Sequence, residues 1–294
     1  MATIVGASFD LSNTTDLTAI YGGAVTSLTG NNVNRDTVVG DGDASVYLTD
    51  ADNNYIDLTG SDSSNVFIQG GDNTVQGSAG DDDIILVGND NIVTTGNGSD
   101  TITVDGNNNF IGASGTGDKI IELTGTGNVA GGGAGADTVT SHGHNAANGG
   151  SGNDFLVAGG HDVLTGGSGN DVLHGEDGGF NLLVGGSGND SLYGGNQDTL
   201  FGGSGNDSFY FGPNSGMNSI KDFTPGQDTL HFSAGTYGAT LVSAAADVAF
   251  AAVAGATAQG VASVIITLGT DIITVKGISL TDLQGNPDNY IIVS

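Results

Sequence analysis

The sequence predicts an all-β fold, a parallel β-roll or β-solenoid of ~18-residue coils, closed by a small C-terminal cap with strands and one short helix. Three observations lead to this fold class. A Gly-rich hexapeptide recurs at a nearly constant step, a large apolar residue follows each copy at a fixed distance, and a second polar series runs half a period away. One such coil cannot bury its own apolar face, so a core requires several stacked coils.

The hexapeptide Gly-Gly-Ser-Gly-Asn-Asp occurs four times without change, at residues 149–154, 166–171, 185–190 and 202–207. A fifth copy at 132–137 reads Gly-Gly-Ala-Gly-Ala-Asp, and successive final Asp residues are 17, 17, 19 and 17 positions apart. The large apolar residues two positions after each final Asp are Val139, Leu156, Leu173, Leu192 and Phe209. This regularity predicts successive turns along one edge of a solenoid.

The same spacing continues upstream in weaker form, where Asp82, Asp100 and Asp118 each stand two residues before an isoleucine. We therefore expect one register from Asp82 to Asp207. The second polar series consists of Asn73, Asn91, Asn109, Asn128, Asp162, Asn181 and Asp198, with a missing member near Ala146. One period thus contains two turns and two short strands, which is the pattern of a flattened coil.

The sequence predicts three regions, residues 1–70, 71–211 and 212–294. Residues 1–70 read as degenerate coils, with strands near 44–48, 55–58 and 66–68 and a first segment of ~25 residues as a cap or assembly arm. Residues 71–211 read as the solenoid. In the C-terminal cap, the Ala-rich segment 243–258 is predicted to form the short helix, and residues 261–268 and 271–275 are predicted to be strands.

The composition is extremely acidic, with 33 acidic residues against 4 basic ones and a formal net charge of −29; only Glu122 and Glu176 among the acids are Glu. Asp is a good turn residue and a good ligand for a hard cation. Such a charge opposes a compact fold unless cations neutralise it. No basic patch exists to meet nucleic acid. No segment is long enough to span a bilayer, and no cleaved leader is expected at the N-terminus.

The five copies resemble the nonapeptide Gly-Gly-x-Gly-x-Asp-x-U-x, with U a large apolar residue, of the repeats-in-toxin (RTX) family of calcium-binding β-rolls. The resemblance implies that each Ca²⁺ bridges turns one coil apart, between carboxylates and main-chain carbonyls. It implies about four well-formed sites, and up to seven or more if the weaker coils also bind ions. The implied carboxylate ligands are Asp137, Asp154, Asp171, Asp190 and Asp207, followed by Asp82, Asp100 and Asp118. The implied turn ligands are Gly132, Ala134, Gly149, Ser151, Gly166, Ser168, Gly185, Ser187, Gly202 and Ser204.

The opposite edge departs from this pattern because it carries mostly Asn and lacks the full motif. Asn brings no charge, and stacked Asn amides form hydrogen bonds along a stack. The sequence therefore predicts an asymmetric solenoid, with calcium on one edge and chiefly an Asn ladder on the other. On this second edge, ion binding is left as an alternative at two places, residues 159–162 and 194–198.

No constellation for catalysis or for an organic cofactor is present, and the protein is predicted not to be an enzyme. The zincin motif His-Glu-x-x-His, the Gly-x-Ser-x-Gly elbow, the P-loop and cysteine are all absent from the sequence. A transition-metal site formed by His142, His144 and His161 is one interpretation of these histidines. The favoured interpretation is that they lie in solvated turns. The regular spacing of the Asp residues favours ligand or turn roles over acid–base catalysis.

The function predicted from these features is that of a secreted, extracellular or cell-surface calcium-binding structural protein that folds outside the cell. Residues 219–232 are similar to segments that follow β-rolls in the RTX family, and 288–294 look like its C-terminal signal for the type I secretion machinery. A homo-oligomer or filament in a biofilm matrix, surface layer or adhesin is expected. The alternative is a polysaccharide-binding module, or a divergent enzyme acting on polysaccharide along the solenoid face.

Overall fold

A computed structural model describes residues 2–4, 8–15, 18–21, 27–40, 45–58, 60, 62–175, 177–212, 214–233, 249–252, 263–268, 271–285 and 290–293. The chain forms two compact units, Met1–Gly150 (unit 1) and Ser151–Ser294 (unit 2). Each unit is a parallel β-solenoid in which alternate strands belong to two different sheets. The all-β solenoid predicted from the repeat is therefore confirmed.

In unit 1 the odd-numbered strands form one sheet and the even-numbered strands form the other, each in chain order. The strands are β1 (Ala2–Ile4), β2 (Ser8–Asp10), β3 (Thr18–Tyr21), β4 (Ser27–Asn34), β5 (Thr37–Val39), β6 (Ser45–Asp52), β7 (Tyr55–Asp57), β8 (Asn65–Gln69), β9 (Thr74–Gln76), β10 (Asp83–Val87), β11 (Ile92–Thr95), β12 (Thr101–Asp105), β13 (Phe110–Ala113), β14 (Ile120–Thr124), β15 (Val129–Ala134), β16 (Thr138–His142) and β17 (Ala146–Ser151).

In unit 2 one sheet has the order β19-β21-β23-β25-β29-β28-β27, and the other has the order β18-β20-β22-β24-β26-β30. The elements are β18 (Phe155–Ala158), β19 (Val163–Ser168), β20 (Val172–His174), β21 (Leu182–Ser187), β22 (Ser191–Gly194), β23 (Thr199–Ser204), β24 (Ser208–Phe211), β25 (Met217–Ile220), β26 (Thr229–Phe232), β27 (Ala249–Ala252), β28 (Ser263–Leu268), β29 (Asp271–Lys276), α1 (Leu280–Gly285) and β30 (Ile291–Val293).

The core of each unit consists of rows of identical inward positions. Strand residues alternate between the two faces, so β12 points Ile102 and Val104 inward while its flanking polar residues face outward. Parallel pairing then stacks like on like. The row through Ile102 in unit 1 contains Ile84, Ile102, Ile121 and Val139, and the corresponding row in unit 2 contains Leu156, Leu173, Leu192, Phe209 and Leu230.

These inward side chains are at most about 1% exposed, which confirms the core positions predicted two residues after the repeated Asp in all but one coil. Each fully buried Leu or Ile contributes roughly 1.5–3 kcal/mol by leaving water. Because one coil supplies only a thin layer, the core gains stability with each coil that stacks.

The C-terminal part of unit 2 closes its sheets with a different pattern of pairing. Strand β29 pairs parallel with β25, but β28 and β27 continue that sheet antiparallel. The cap contains one short helix, as predicted, although the position predicted for it is wrong. Ala249–Ala252, within the predicted helix 243–258, is strand β27, and the rest of that segment lies outside the described residues. The helix is instead α1, where the Ser279 hydroxyl accepts a hydrogen bond from the Asp282 amide.

The described part of residues 1–70 forms regular coils of unit 1, and the three strands predicted there are confirmed as β6, β7 and β8. Strands β1 to β4 pair parallel with the next strand of their own sheet. Ala249–Ala252 forms a strand and not part of a helix because pairing with β28 outweighs helix propensity. No helix in the described part of the chain is long and apolar enough to cross a membrane.

Candidate metal centre

Unit 2 stacks one Asp per coil along a single edge, and we call Asp154, Asp171, Asp190, Asp207 and Asp228 the carboxylate ladder. In each step, Oδ1 of one Asp accepts a hydrogen bond from the main-chain amide of the Asp one coil earlier. The N···Oδ1 distances are 2.8, 2.8, 3.0 and 3.0 Å along the ladder. This bond fixes every carboxylate in the same orientation, because the coil repeats.

In three residues of the ladder the second carboxylate oxygen is buried and accepts no hydrogen bond. Asp171, Asp190 and Asp207 are each 1% exposed, and their Oδ2 atoms accept no hydrogen bond within the part of the chain that the structure describes. A buried acceptor without a partner costs roughly 1–3 kcal/mol, and more when it is charged. Three such atoms in successive coils therefore fit a cation bound along this edge better than they fit a random defect.

Glycine leaves the space beside each of these oxygens open. A Cβ placed on Gly185 would collide with Asp190 Oδ2 and lie 2.6 Å from the carbonyl oxygen of Gly202. A carboxylate oxygen and a carbonyl oxygen from the next coil thus converge on one small space. The following residue, Gly186, has φ +121°, which is strained for any residue with a side chain. The oxygen donors fit a hard cation such as Ca²⁺.

Burial perturbs the ionisation of the carboxylates of the ladder. Burial, together with the charges of Asp171 and Asp207, raises the pKa of Asp190 to about 7. Burial likewise raises the pKa of Asp171 and Asp207. A divalent ion between the coils would favour the charged form and reverse this shift.

Asp222 and Asp228 belong to this edge but were missed by the sequence analysis. Asp228 ends the ladder, and burial raises its pKa to about 6. Asp222 accepts hydrogen bonds from the amides of Gly202 and Gly203, at 3.0 and 2.9 Å. A signal was present, because Leu230 follows Asp228 by two residues, as in the hexapeptide copies. The longer step of 21 residues from Asp207 concealed it.

In unit 1 the equivalent row contains different residues, and we call Ser64, Asp82, Asp100, Lys119 and Asp137 the mixed row. The same amide-to-Oδ1 bond links Ser64 to Asp82, Asp82 to Asp100, and Lys119 to Asp137. Asp82 has no spare oxygen, because its Oδ2 accepts from the amide of Ser78 and its Oδ1 also accepts from the Ser78 hydroxyl. The carboxylate of Asp82 is thus satisfied by the protein itself.

The prediction that Asp118 shares the register of Asp82 and Asp100 is wrong. Strands β12 and β14 pair Thr101 with Ile120, a step of 19 residues, so Lys119 takes the position predicted for Asp118. Asp118 is exposed, and its Oδ1 accepts from the amide of Ala136. Ile120, predicted as the inward residue, is 56% exposed. The sequence misled because Asp118 precedes an isoleucine at the spacing shared by Asp82 and Asp100.

The Asn ladder predicted for the opposite edge is present in unit 1. Asn73 donates from both its amide and its Nδ2 to Asn91 Oδ1, at 3.0 Å each, and Asn91 continues to Asn109 in the same way. The ladder contains Asn54, Asn73, Asn91, Asn109, Asn128 and Asn145. The member described as missing near Ala146 is Asn145, one residue earlier.

The same edge of unit 2 carries two Asp residues whose carboxylates are committed to the backbone. Asp162 Oδ2 accepts from the amides of Gly159 and Gly160, and Asp198 Oδ2 accepts from Gly195. Asn181 lies between them. Its Oδ1 accepts a hydrogen bond from the amide of Asp162, and its own main-chain amide donates to Asp198 Oδ1. These carboxylates stabilise turns, in contrast to the open Oδ2 atoms of Asp171, Asp190 and Asp207.

The histidines considered for a transition metal do not assemble in the described residues. No group of three or more His, Cys, Asp or Glu side chains that could hold a metal ion occurs there. His142 Nε2 lies 3.4 Å from Glu122 Oε1 on an exposed surface, and His161 stacks on Phe180 with ring centroids 4.9 Å apart. Any cation on the ladder edge would therefore rely on carbonyl oxygens as well as on Asp.

Comparison with known families agrees with this architecture. Four copies of the RTX calcium-binding nonapeptide repeat match residues 125–156, 158–179, 177–209 and 197–213. Residues 50–108 match a different family, described as a protein of unknown function (DUF3060). No curated protein matches the chain. Neither matching family is described as an enzymatic domain.

Fold and sequence together define a calcium-binding β-solenoid. The chain carries RTX calcium-binding nonapeptide repeats, and the resemblance noted from the hexapeptide is confirmed. The first of these matches begins at residue 125, close to the point in the chain at which the full motif replaces the mixed row. Individual ligands and the number of ions remain predictions.

Proposed function

We propose that this protein is a secreted structural protein whose repeats bind Ca²⁺ between successive Asp residues of the carboxylate ladder. The observation that carries the proposal is the set of buried, unpartnered Oδ2 atoms of Asp171, Asp190 and Asp207. The Asp190 oxygen lies beside the carbonyl oxygen of Gly202, and two carboxylates one coil apart with such carbonyls suit the six to eight oxygen ligands of Ca²⁺. The protein acts as a scaffold and not as an enzyme.

The proposed role of the ion is to couple folding to location. The chain carries a formal charge of −29, and the ladder places carboxylates in neighbouring buried positions. At the low calcium concentration of a cytosol, repulsion and desolvation oppose closure of these coils, so the chain can pass a type I secretion channel unfolded. Outside the cell, the free energy of ion binding becomes free energy of folding.

We also propose that the folded solenoid assembles with itself at a cell surface, in a surface layer, biofilm matrix or adhesin. In the described part of unit 1, β1 and β2 are the edge strands of their sheets. An exposed parallel edge presents unpaired amides and carbonyls to another chain. Electron microscopy in millimolar calcium tests this role: ordered fibres or lattices support it, and dispersed monomers at all concentrations contradict it.

The aromatic surface of unit 2 gives no support to the alternative role in polysaccharide binding. His174, Tyr193, Tyr210 and His231 form a row of stacked rings with centroids 4.2 to 4.4 Å apart. Because Tyr193 and Tyr210 are each covered on both faces by a neighbouring ring, neither face is open to stack on a sugar. We therefore propose the structural role alone.

Circular dichroism and ion counting test the calcium role together. With chelator, we expect loss of a large share of the β-signal, and its recovery on adding Ca²⁺ but not the same concentration of Mg²⁺, which is smaller and prefers its own water ligands. Equilibrium dialysis should find several ions per chain. A fully folded chelated protein that binds no Ca²⁺ would rule out the proposal.

A further inference from the structure

Lys119 is a fully buried lysine in a protein with very few basic residues. Its side chain is 0% exposed, although the chain has only 4 Lys and Arg residues. Burial of an ammonium group without partners is strongly unfavourable, so a buried lysine requires a dedicated set of oxygens. Lys119 occupies the mixed row at the point where the repeat would place an Asp.

The Lys119 ammonium lies inside a cage of oxygens from two coils. Nζ donates to the carbonyl oxygen of Gly98 at 2.5 Å and to that of Gly117 at 3.0 Å, with Thr116 O at 3.5 Å. Asp100 Oδ2 completes the set at 3.5 Å, and this carboxylate is also fully buried. One carboxylate and several carbonyls from turns one coil apart are the donors expected around a calcium ion.

The carbonyls belong to the turn that carries the calcium motif elsewhere. Gly98 and Gly117 stack on Gly135, the fourth residue of the copy at 132–137: a Cβ on Gly135 would lie 2.5 Å from Gly117 O, and one on Gly117 would collide with Gly98 O. Both have left-handed backbones, with φ +106° and +111°, as Gly135 does with φ +151°. The ammonium therefore occupies a turn of the same type as the full motif.

We infer that the Lys119 ammonium is a tethered cation that replaces Ca²⁺ at the Asp100 rung of the solenoid. The side chain comes from the residue that would otherwise be the second carboxylate, so one substitution removes a negative charge and supplies a positive one. The rung then needs no ion from solution. This cation site is permanently filled and does not respond to chelators.

A consequence follows for the way the chain folds, and it rests on the proposed function of the carboxylate ladder. Asp82 is satisfied by hydrogen bonds from Ser64 and Ser78, and Asp100 Oδ2, which accepts no hydrogen bond, is paired with the Lys119 ammonium at 3.5 Å. In the coils from Ser64 to Lys119, each carboxylate of the mixed row thus has either hydrogen bonds or an ammonium beside it. These coils are able to form before calcium is encountered, whereas the ladder of unit 2 is not.

The first test removes the tethered charge from the full-length protein. Lys119→Met keeps an unbranched side chain that is one atom shorter, and leaves Asp100 and the carbonyls without a cation. In chelator, we expect loss of amide protection in strands β12 and β14, and a fall of about 6 °C or more in the thermal midpoint of that transition. The matched control is Lys276→Met, which removes an exposed lysine and should change neither quantity.

The second test asks whether calcium can take the place of the ammonium. Lys119→Asp restores an Asp between Asp100 and Asp137, and we expect this variant to bind at least one more Ca²⁺ per chain than the wild type. It should depend on calcium for protection of β12 and β14, which the wild type does not. A variant that folds in calcium with the wild-type ion count, or that fails to fold in excess calcium, would overturn the inference.

These outcomes separate the inference from the proposed function. Should the wild type bind no calcium, the proposed function fails, yet Lys119→Met still reports whether the ammonium holds the Asp100 rung in chelator. Should the wild type bind calcium while Lys119→Met keeps wild-type stability in chelator, the inference fails and the proposed function stands.

Discussion

The two units build the same position of the coil in different ways. In unit 1 the carboxylate oxygens of Asp82 accept hydrogen bonds from Ser64 and Ser78, and Asp100 Oδ2, which accepts no hydrogen bond, lies 3.5 Å from the Lys119 ammonium. In unit 2 the carboxylate ladder leaves Oδ2 of Asp171, Asp190 and Asp207 without a partner. Both rows use the same amide-to-Oδ1 bond between coils.

This difference shows that the coil geometry does not by itself demand calcium. The need for calcium comes from carboxylate oxygens that have no partner. The protein supplies a hydroxyl, an amide or an ammonium to the carboxylates of Asp82 and Asp100. It supplies nothing to Oδ2 of Asp171, Asp190 and Asp207. Substitutions in one row should therefore have different, and in some conditions opposite, effects from substitutions in the other.

Asp190→Asn should distinguish the two rows most strongly. In calcium, we expect the loss of at least one bound ion and of roughly 3 kcal/mol of the free energy of unfolding, the contribution of one site at a hundredfold excess over its Kd. In chelator, the same variant should be more stable than the wild type, because a buried charge is gone. Calorimetry and ion counting measure both effects.

The matched control for that variant is Asp82→Asn in the mixed row. Asp82 is hydrogen-bonded to Ser64 and Ser78 and has no open oxygen. Its substitution should leave the ion count unchanged and cost about 1–3 kcal/mol at any calcium concentration. Equal losses of ions in the two variants would remove the distinction between the rows.

The pH dependence of the calcium-free protein should have an unusual sign. Asp190 has a pKa raised from 3.8 to about 7, and Asp228 has a pKa raised from 3.8 to about 6. Between pH 3.8 and these raised values, the folded state therefore binds more protons than the unfolded state. Stability in chelator is therefore greatest near pH 4 and falls as the pH rises towards 7, by about 2 kcal/mol or more. Thermal melts from pH 4.5 to 8 measure this.

Saturating calcium should abolish that slope, because the bound ion favours the charged carboxylates. Protons and calcium then compete, and acidification should weaken calcium binding. A chelated protein whose thermal midpoint rises steadily from pH 4.5 to 8 would contradict the assignment of the ladder as uncompensated carboxylates.

Gly185→Ala should weaken calcium binding through space alone. The added Cβ would collide with Asp190 Oδ2 and lie 2.6 Å from Gly202 O, where the two oxygens converge. We expect a loss of about 1–2 kcal/mol in calcium, with a lower affinity for the ion. Gly131→Ala is the control, because no atom lies within 4 Å of its added Cβ; a loss of the same size there would show a general backbone effect.

The smallest effect is expected in the Asn ladder of unit 1, where calcium plays no part. Asn91→Ala removes the acceptor of Asn73 and the donor to Gly70 O, all of them buried or partly buried, and should cost about 1–2 kcal/mol with or without calcium. Asn89→Ala removes a similar but exposed bond to the amide of Asn107 and should cost less than about 0.5 kcal/mol. Urea unfolding in both conditions provides the comparison.

Much of the fold followed from the sequence because the repeat encodes it twice, once in the Gly-rich turns and once in the apolar residue two positions later. Rows such as Leu156, Leu173 and Leu192 could therefore be assigned without a structure. The failure at Asp118 has a physical reason: a coil lengthened by one residue keeps its strand register by moving the extra residue into a turn, and spacing alone does not reveal which residue moves.

The site was predictable where the motif was complete and obscure where it was not. Nothing in the spacing distinguished the satisfied carboxylate of Asp82 from the open one of Asp171, because the difference lies in the identity of Ser78, which stands where the full hexapeptide has its second Gly. The cap was misread for a related reason. Ala-rich sequence favours a helix locally, but the edge of β28 offers Ala249–Ala252 a strand partner.

Amide hydrogen exchange of the full chain, with calcium and with chelator, tests the central claim most directly. The amides of Asp154, Asp171 and Asp190 donate to the carboxylate ladder, and those of Asn73, Asn91 and Asn109 donate to the Asn ladder. Chelation should lower protection of the Asp amides by more than about 100-fold and leave the Asn amides within about tenfold. Equal protection of both sets in chelator would contradict a calcium-dependent ladder.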